Sequence, residues 1–210
     1  MGAIVNLKNM TIALIISLAY EMLLKLSHTL IPSLFNISVI PRITSVISFV
    51  VGVIIILFLF LFYQEERTND KVALVLKLLI GCFVLQFILR LPITEKMIDY
   101  KMVRLIVALL GFINAILLFV LMIFYKREIP PEENLLNQAA MFITVMFGMN
   151  IIKSLYSFIS FMRFVFSGIT VHYSPIFHYI LFVLFLVTHA SIIYFLCRYY
   201  QFKFTLERFR

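Results

Sequence analysis

Residues 43–63 read ITSVISFVVGVIIILFLFLFY, twenty-one positions without a single charge. The hydrocarbon core of a bilayer is about 30 Å thick, and crossing it takes roughly 20 apolar residues of helix. This stretch meets that requirement on its own, and it is apolar around the whole circumference, as a helix in lipid is. Val103 to Tyr125 is a second such run, with Arg104 alone near its edge. Hydrophobic residues make up 63% of the 210-residue chain and charged residues only 13%, so spans and short connections consume nearly all of it. No room is left for a soluble catalytic domain.

Six helices are the most economical reading: Asn9 to Phe35, Ile43 to Gln64, Lys71 to Leu91, Lys101 to Lys126, Leu135 to Ser167 and Pro175 to Phe202. The expected fold is an all-α, polytopic transmembrane bundle forming one integral membrane domain over residues 1–210. Pro32, Pro41, Pro92, Pro130, Pro131 and Pro175 all fall at proposed helix ends, where a missing backbone donor does no harm. The first helix carries Glu21 and Lys25 and outruns the apolar region of a cleavable leader, so it is expected to be retained. The fifth is long enough to be tilted, or to end in an interfacial piece around Met162 to Ser167.

A weak repeat runs through these segments. The second, fourth and sixth helices end alike, in Phe62-Tyr63-Gln64, Phe124-Tyr125-Lys126 and Arg198-Tyr199-Tyr200-Gln201, which read as aromatic clusters at one interface. The other three carry polar residues inside apolar runs: Glu21 and Lys25, Gln86 and Arg90, Asn150 and Lys153. Three serial helical hairpins would produce that alternation.

With an even number of spans both termini share a side. Lys8, Arg67, Lys71, Lys126, Arg127, Arg198, Lys203, Arg208 and Arg210 would lie there, against Lys25, Arg42, Arg90, Lys96, Lys101, Arg104 and Arg163 opposite. Basic residues concentrate on the cytoplasmic side, so both termini are expected to be cytoplasmic, in a cell membrane. The opposite side is nevertheless basic, and Arg90, Lys96, Lys101 and Arg104 cluster around one connection. That cluster is a candidate site for an anion or a lipid headgroup, with snorkelling anchors as the plainer explanation.

An ionised group near the bilayer centre costs at least ~2.5 kcal/mol on insertion scales, so each should face the interior and have a partner. Glu21, Lys25, Asn150, Lys153 and His189 form the candidate intramembrane polar cluster, with Glu21 and Lys153 expected to pair. Ser17, Glu21, Lys25 and His28 share one helical stripe, and Asn150, Lys153, Ser154 and Ser157 share another. His178 and His189 lie three turns apart, and only His28 and His172 remain as further imidazoles, so haem or metal is not expected. Cys82 and Cys197 lack metal spacing and read as small hydrophobes.

Catalytic patterns are missing from the sequence: it has no HExxH helix, no GxSxG elbow and no phosphate-cradling glycine loop. Neither enzymatic activity nor a cofactor is expected. The net charge of +8 flanks hydrophobic runs instead of forming a patch, which argues against nucleic acid as a partner. The functional expectation is a non-enzymatic membrane protein that binds an anionic lipid or a partner protein within the bilayer, as a complex subunit or sensor component. Its partners would be membrane lipids, a membrane or cytoplasmic protein, or further copies of itself. The alternative is a small oligomeric transporter or channel with a polar path through Glu21, Lys153 and His189.

Overall fold

The computed structural model describes residues 2–30, 39–90, 99–168 and 175–204. These form α1 (Gly2–Leu30), α2 (Val39–Glu66), α3 (Asp70–Leu89), α4 (Tyr100–Glu128), α5 (Asn134–Ser167) and α6 (Pro175–Phe204). All six are long and apolar enough to cross a bilayer, so the chain is a multi-pass membrane protein with an all-α fold.

Local chemistry sets the helix ends. Asn69 caps α3 by accepting from the Val72 N–H at 3.3 Å, and Asp99 caps α4 by accepting from the Lys101 N–H at 2.9 Å. Between α4 and α5, Pro130 and Pro131 force a turn, closed by the Glu133 N–H on the Pro130 carbonyl at 3.0 Å. Asn137 Nδ2 donates to that same carbonyl from inside α5. α5 ends at Gly168, whose φ of +66° is the left-handed region that glycine enters without strain, and its N–H closes on the Phe164 carbonyl at 3.1 Å. α5 runs unbroken to Ser167, so the expected interfacial piece is simply its last turns. α2 starts at Val39 and not Ile43, because Pro41 fits in a first turn, where its lost N–H has no helical partner anyway.

Each helix packs on its neighbours in sequence, and α1 packs on α6. The result is a closed ring of six antiparallel helices. Both chain ends lie at one end of it, where Lys8 sits over the Tyr200 ring at 5.7 Å and Lys203 pairs with Glu65 at 2.8 Å. Outward positions such as Ile16, Leu74, Ile152, Phe166 and Ile176 are exposed, as lipid-facing side chains should be.

The two ends of the ring differ. The main core lies in the half that holds the termini, built from Leu7, Leu14 and Leu18 of α1, Val72, Leu76 and Leu79 of α3, and Leu136, Ala140 and Ile143 of α5, among others. Among the described residues the opposite half has only a small cluster of Leu89, Val103 and Leu110. In the closed half the aromatic ends of α2, α4 and α6 turn inward, not toward headgroups. Phe62, Tyr125 and Tyr199 form a triangle, with centroid separations of 5.5, 5.8 and 6.3 Å. All three rings are buried. Their parent helices do not touch one another, so these side chains span the ring and seal its axis. Next to the seal lies a wholly apolar chamber of about 170 Å³, lined from all six helices.

Candidate functional site

One turn from the apolar chamber, on every helix but α2, the lining changes character. Leu18 gives way to Glu21, Ile192 to His189, Phe147 to Asn150, Phe83 to Gln86 and Leu118 to Asn114. These five polar residues are held in pairs across helix seams. His189 Nε2 lies 3.6 Å from Glu21 Oε2, joining α6 to α1. Its Nδ1 is 3.0 Å from the Phe185 carbonyl, which can only accept, so Nδ1 carries a hydrogen. The contact to Glu21 is then attractive only with a second proton between the two groups, on the ring or on the carboxyl. Asn150 Nδ2 donates to Thr188 Oγ1 at 3.2 Å, joining α5 to α6. Gln86 joins α3 to α4 twice, donating to the Val107 carbonyl at 3.2 Å and accepting from Asn114 Nδ2 at 3.1 Å.

Beyond this layer the ring opens into a vestibule with two lobes. The wider, of about 1020 Å³, is bounded by α1, α2 and α6 and includes Glu21, Lys25, His28, Ser48 and His178 in its wall. The narrower, of about 440 Å³, is bounded by α3, α4 and α5 and includes Arg90, Arg104, Ser154 and Ser157. Lys153 lines both. It stands 19 residues from the start of α5 and 14 from its end, deep within the span. Ala108 and Gly111 leave the narrower lobe its room, since one projects only a methyl group and the other no side chain.

Lys153 forms neither an ion pair nor a hydrogen bond among the described residues, and the charge that bears on it is Lys25, of the same sign. The expected pairing of Glu21 with Lys153 is therefore corrected: α6, not α5, is the neighbour of α1, so His189 reaches the carboxylate first. The two polar stripes do line a common space, but they face it across the ring and do not interlock.

The basic cluster divides as well. Arg90 and Arg104 line the narrower lobe, with the Arg104 guanidinium 4.3 Å from the Tyr100 ring. Lys101 turns aside, its Nζ 5.6 Å from the centre of the Phe164 ring on α5, as an anchoring side chain would. Lys96 and His172 lie outside the described residues. Lys25 and His178 face the wider lobe. Asn114 was legible only as a lone amide within GFINAILL; it is buried, and its Oδ1 accepts no hydrogen bond among the described residues.

Among the described residues no three His, Cys, Asp or Glu side chains converge. Chemically the vestibule is a donor-rich, predominantly cationic recess facing an apolar floor. No known protein family, curated protein or solved structure matches the chain, so function is read from these residues alone.

Proposed function

We propose that this protein binds an anionic lipid within the bilayer, taking the charged headgroup into the vestibule around Lys153. One observation carries the reading: a half-buried ammonium group stands at the junction of two cavities with no counter-ion among the described residues, while Glu21, which lines the wider cavity with it, is engaged by His189. A cation so placed is costly unless an anion or water shares the space. Arg90 and Arg104 line the way from the helix ends to it. In this reading both termini face the cytoplasm, supported by the distribution of Lys and Arg, and the vestibule opens toward the outer leaflet of a cell membrane.

Mass spectrometry of lipids retained after purification from mixed membranes tests this. Lys153→Met should lower the ratio of anionic to zwitterionic lipid by about fivefold, the equivalent of ~1 kcal/mol for one basic group. An unchanged ratio with the fold intact would remove the reading. A transport path is the second reading, supported by the floor of the vestibule: the apolar chamber and the Phe62, Tyr125 and Tyr199 seal lie in line with it, as a closed hydrophobic gate would. Anion flux into proteoliposomes that appears or rises when Phe62 is replaced by Ala would favour that reading.

A further inference from the structure

The two lobes differ in a way that identifies the anion. The wider lobe holds both signs of charge, with Glu21 facing Lys25, Lys153 and the imidazoles of His28 and His178. The narrower lobe holds Arg90, Arg104 and Lys153 and, among the described residues, no acid. Its other polar groups are also donors in waiting. The hydroxyls of Ser154 and Ser157 make no hydrogen bond among the described residues, whereas Thr144 on the same helix donates to the Ala140 carbonyl at 2.6 Å in the usual way. The acceptor that could compete with a ligand, Gln86 Oε1, is already held by Asn114.

Resting on the anionic-lipid reading, we infer that the narrower lobe is a site for the phosphate dianion of a phosphomonoester, held by Arg90, Arg104, Lys153, Ser154 and Ser157. Three basic side chains lining one lobe are best offset by a ligand carrying close to two negative charges. Near neutral pH a phosphomonoester carries about −1.5 to −2, while a diester or a carboxylate carries one. Donor number points the same way. Two guanidinium forks, an ammonium and two hydroxyls exceed what a carboxylate's two oxygens accept, and they suit three terminal phosphate oxygens, for which guanidinium geometry is bidentate. Gly111 and Ala108 leave the α4 wall of the lobe without bulky side chains.

The same chemistry could arrive as a lipid or as a soluble phosphate, and the test separates the two. The purified full chain is titrated calorimetrically with short-chain phosphatidic acid, short-chain phosphatidylglycerol, octanoate and inorganic phosphate. Phosphatidic acid should bind at least about tenfold more tightly than the diester or the carboxylate. Its affinity should rise between pH 5 and pH 7.5 as the monoester loses its second proton near pH ~6, while the diester, run through the same range, stays flat. Arg104→Gln should weaken the monoester by about thirtyfold or more, with Arg104→Lys recovering part of the loss. The Ser154→Ala, Ser157→Ala double variant should weaken it by about tenfold and leave thermal stability unchanged, which separates binding from folding. Inorganic phosphate binding as tightly as the lipid would keep the phosphate site and assign it a soluble ligand. Equal affinity for monoester and diester would overturn this inference and leave the anionic-lipid reading standing. No binding of any anionic amphiphile, with none lost on Lys153→Met, would remove both.

Discussion

The same six helices make a closed half and an open half. Near the termini they meet through large apolar side chains, and three aromatic rings fill the axis. At the other end they present Lys25, Arg90, Arg104, Lys153 and several hydroxyls to the axis, and the space stays open. In a bilayer the hydrophobic effect does not tell lipid from protein, so closure rests on shape and van der Waals contact. The open half is kept apart by a different cost. Collapsing it would bring together like charges and strip water from groups that have no partner.

The largest test of that difference deletes a ring from each half. Phe62→Ala or Tyr199→Ala removes a member of the axial triangle and should lower stability by about 3–5 kcal/mol, measured by thermal unfolding in detergent. Phe182→Ala, which only widens an existing lobe, should cost under ~1 kcal/mol. Comparable losses would mean that both halves are packed to the same standard.

Charge should act with opposite sign in the two halves. Lys203→Met strands Glu65 at the closed end and should cost about 1–2 kcal/mol. In protein stripped of lipid, Lys153→Met removes a charge with no partner among the described residues and should raise stability by about 1 kcal/mol. Destabilisation by Lys153→Met would show that the ammonium has a partner in the membrane-embedded protein.

A double-mutant cycle sharpens the boundary between the halves. Glu21→Gln combined with His189→Asn should show a coupling of about 1 kcal/mol, while Glu21→Gln combined with Lys153→Met should be additive within ~0.5 kcal/mol. The smallest effect belongs to the rim of the open half. Gly168→Ala forces a side chain into the left-handed region and should cost about 0.5–1 kcal/mol, read as fraying of the last turn of α5 by hydrogen exchange.

Much of this was legible in the residues. Residues 43–63 announce a membrane span by length and charge alone, and Pro41, Pro130, Pro131 and Pro175 lie at helix ends, while Pro32 and Pro92 fall outside the described residues. What could not be read is rotation about each helix axis. A bilayer span is apolar on nearly every face, so periodicity no longer tells inside from outside, and Phe62, Tyr125 and Tyr199 looked like headgroup anchors when they are an axial seal. The same ambiguity misassigned Glu21. Its level in the membrane was plain from its place in the span, but the choice between Lys153 and His189 depends on which helix closes the ring beside α1. The basic cluster around 90–104 was recognisable as a group. That Arg90 and Arg104 join Lys153 while Lys101 turns away to Phe164 is a matter of side-chain direction that spacing does not encode.

The order of the ring bears on how the molecule is made. Five of its six seams join helices that are consecutive in the chain, so each can form as soon as the later helix enters the bilayer, with little loop-closure entropy to overcome. The sixth, between α1 and α6, joins the first segment synthesised to the last. Lys8 on Tyr200, and the contact of Glu21 with His189, belong to that final seam. Until α6 arrives the helices are an open arc in which Glu21 lacks His189, and the wider lobe is enclosed only once the first and last spans have met.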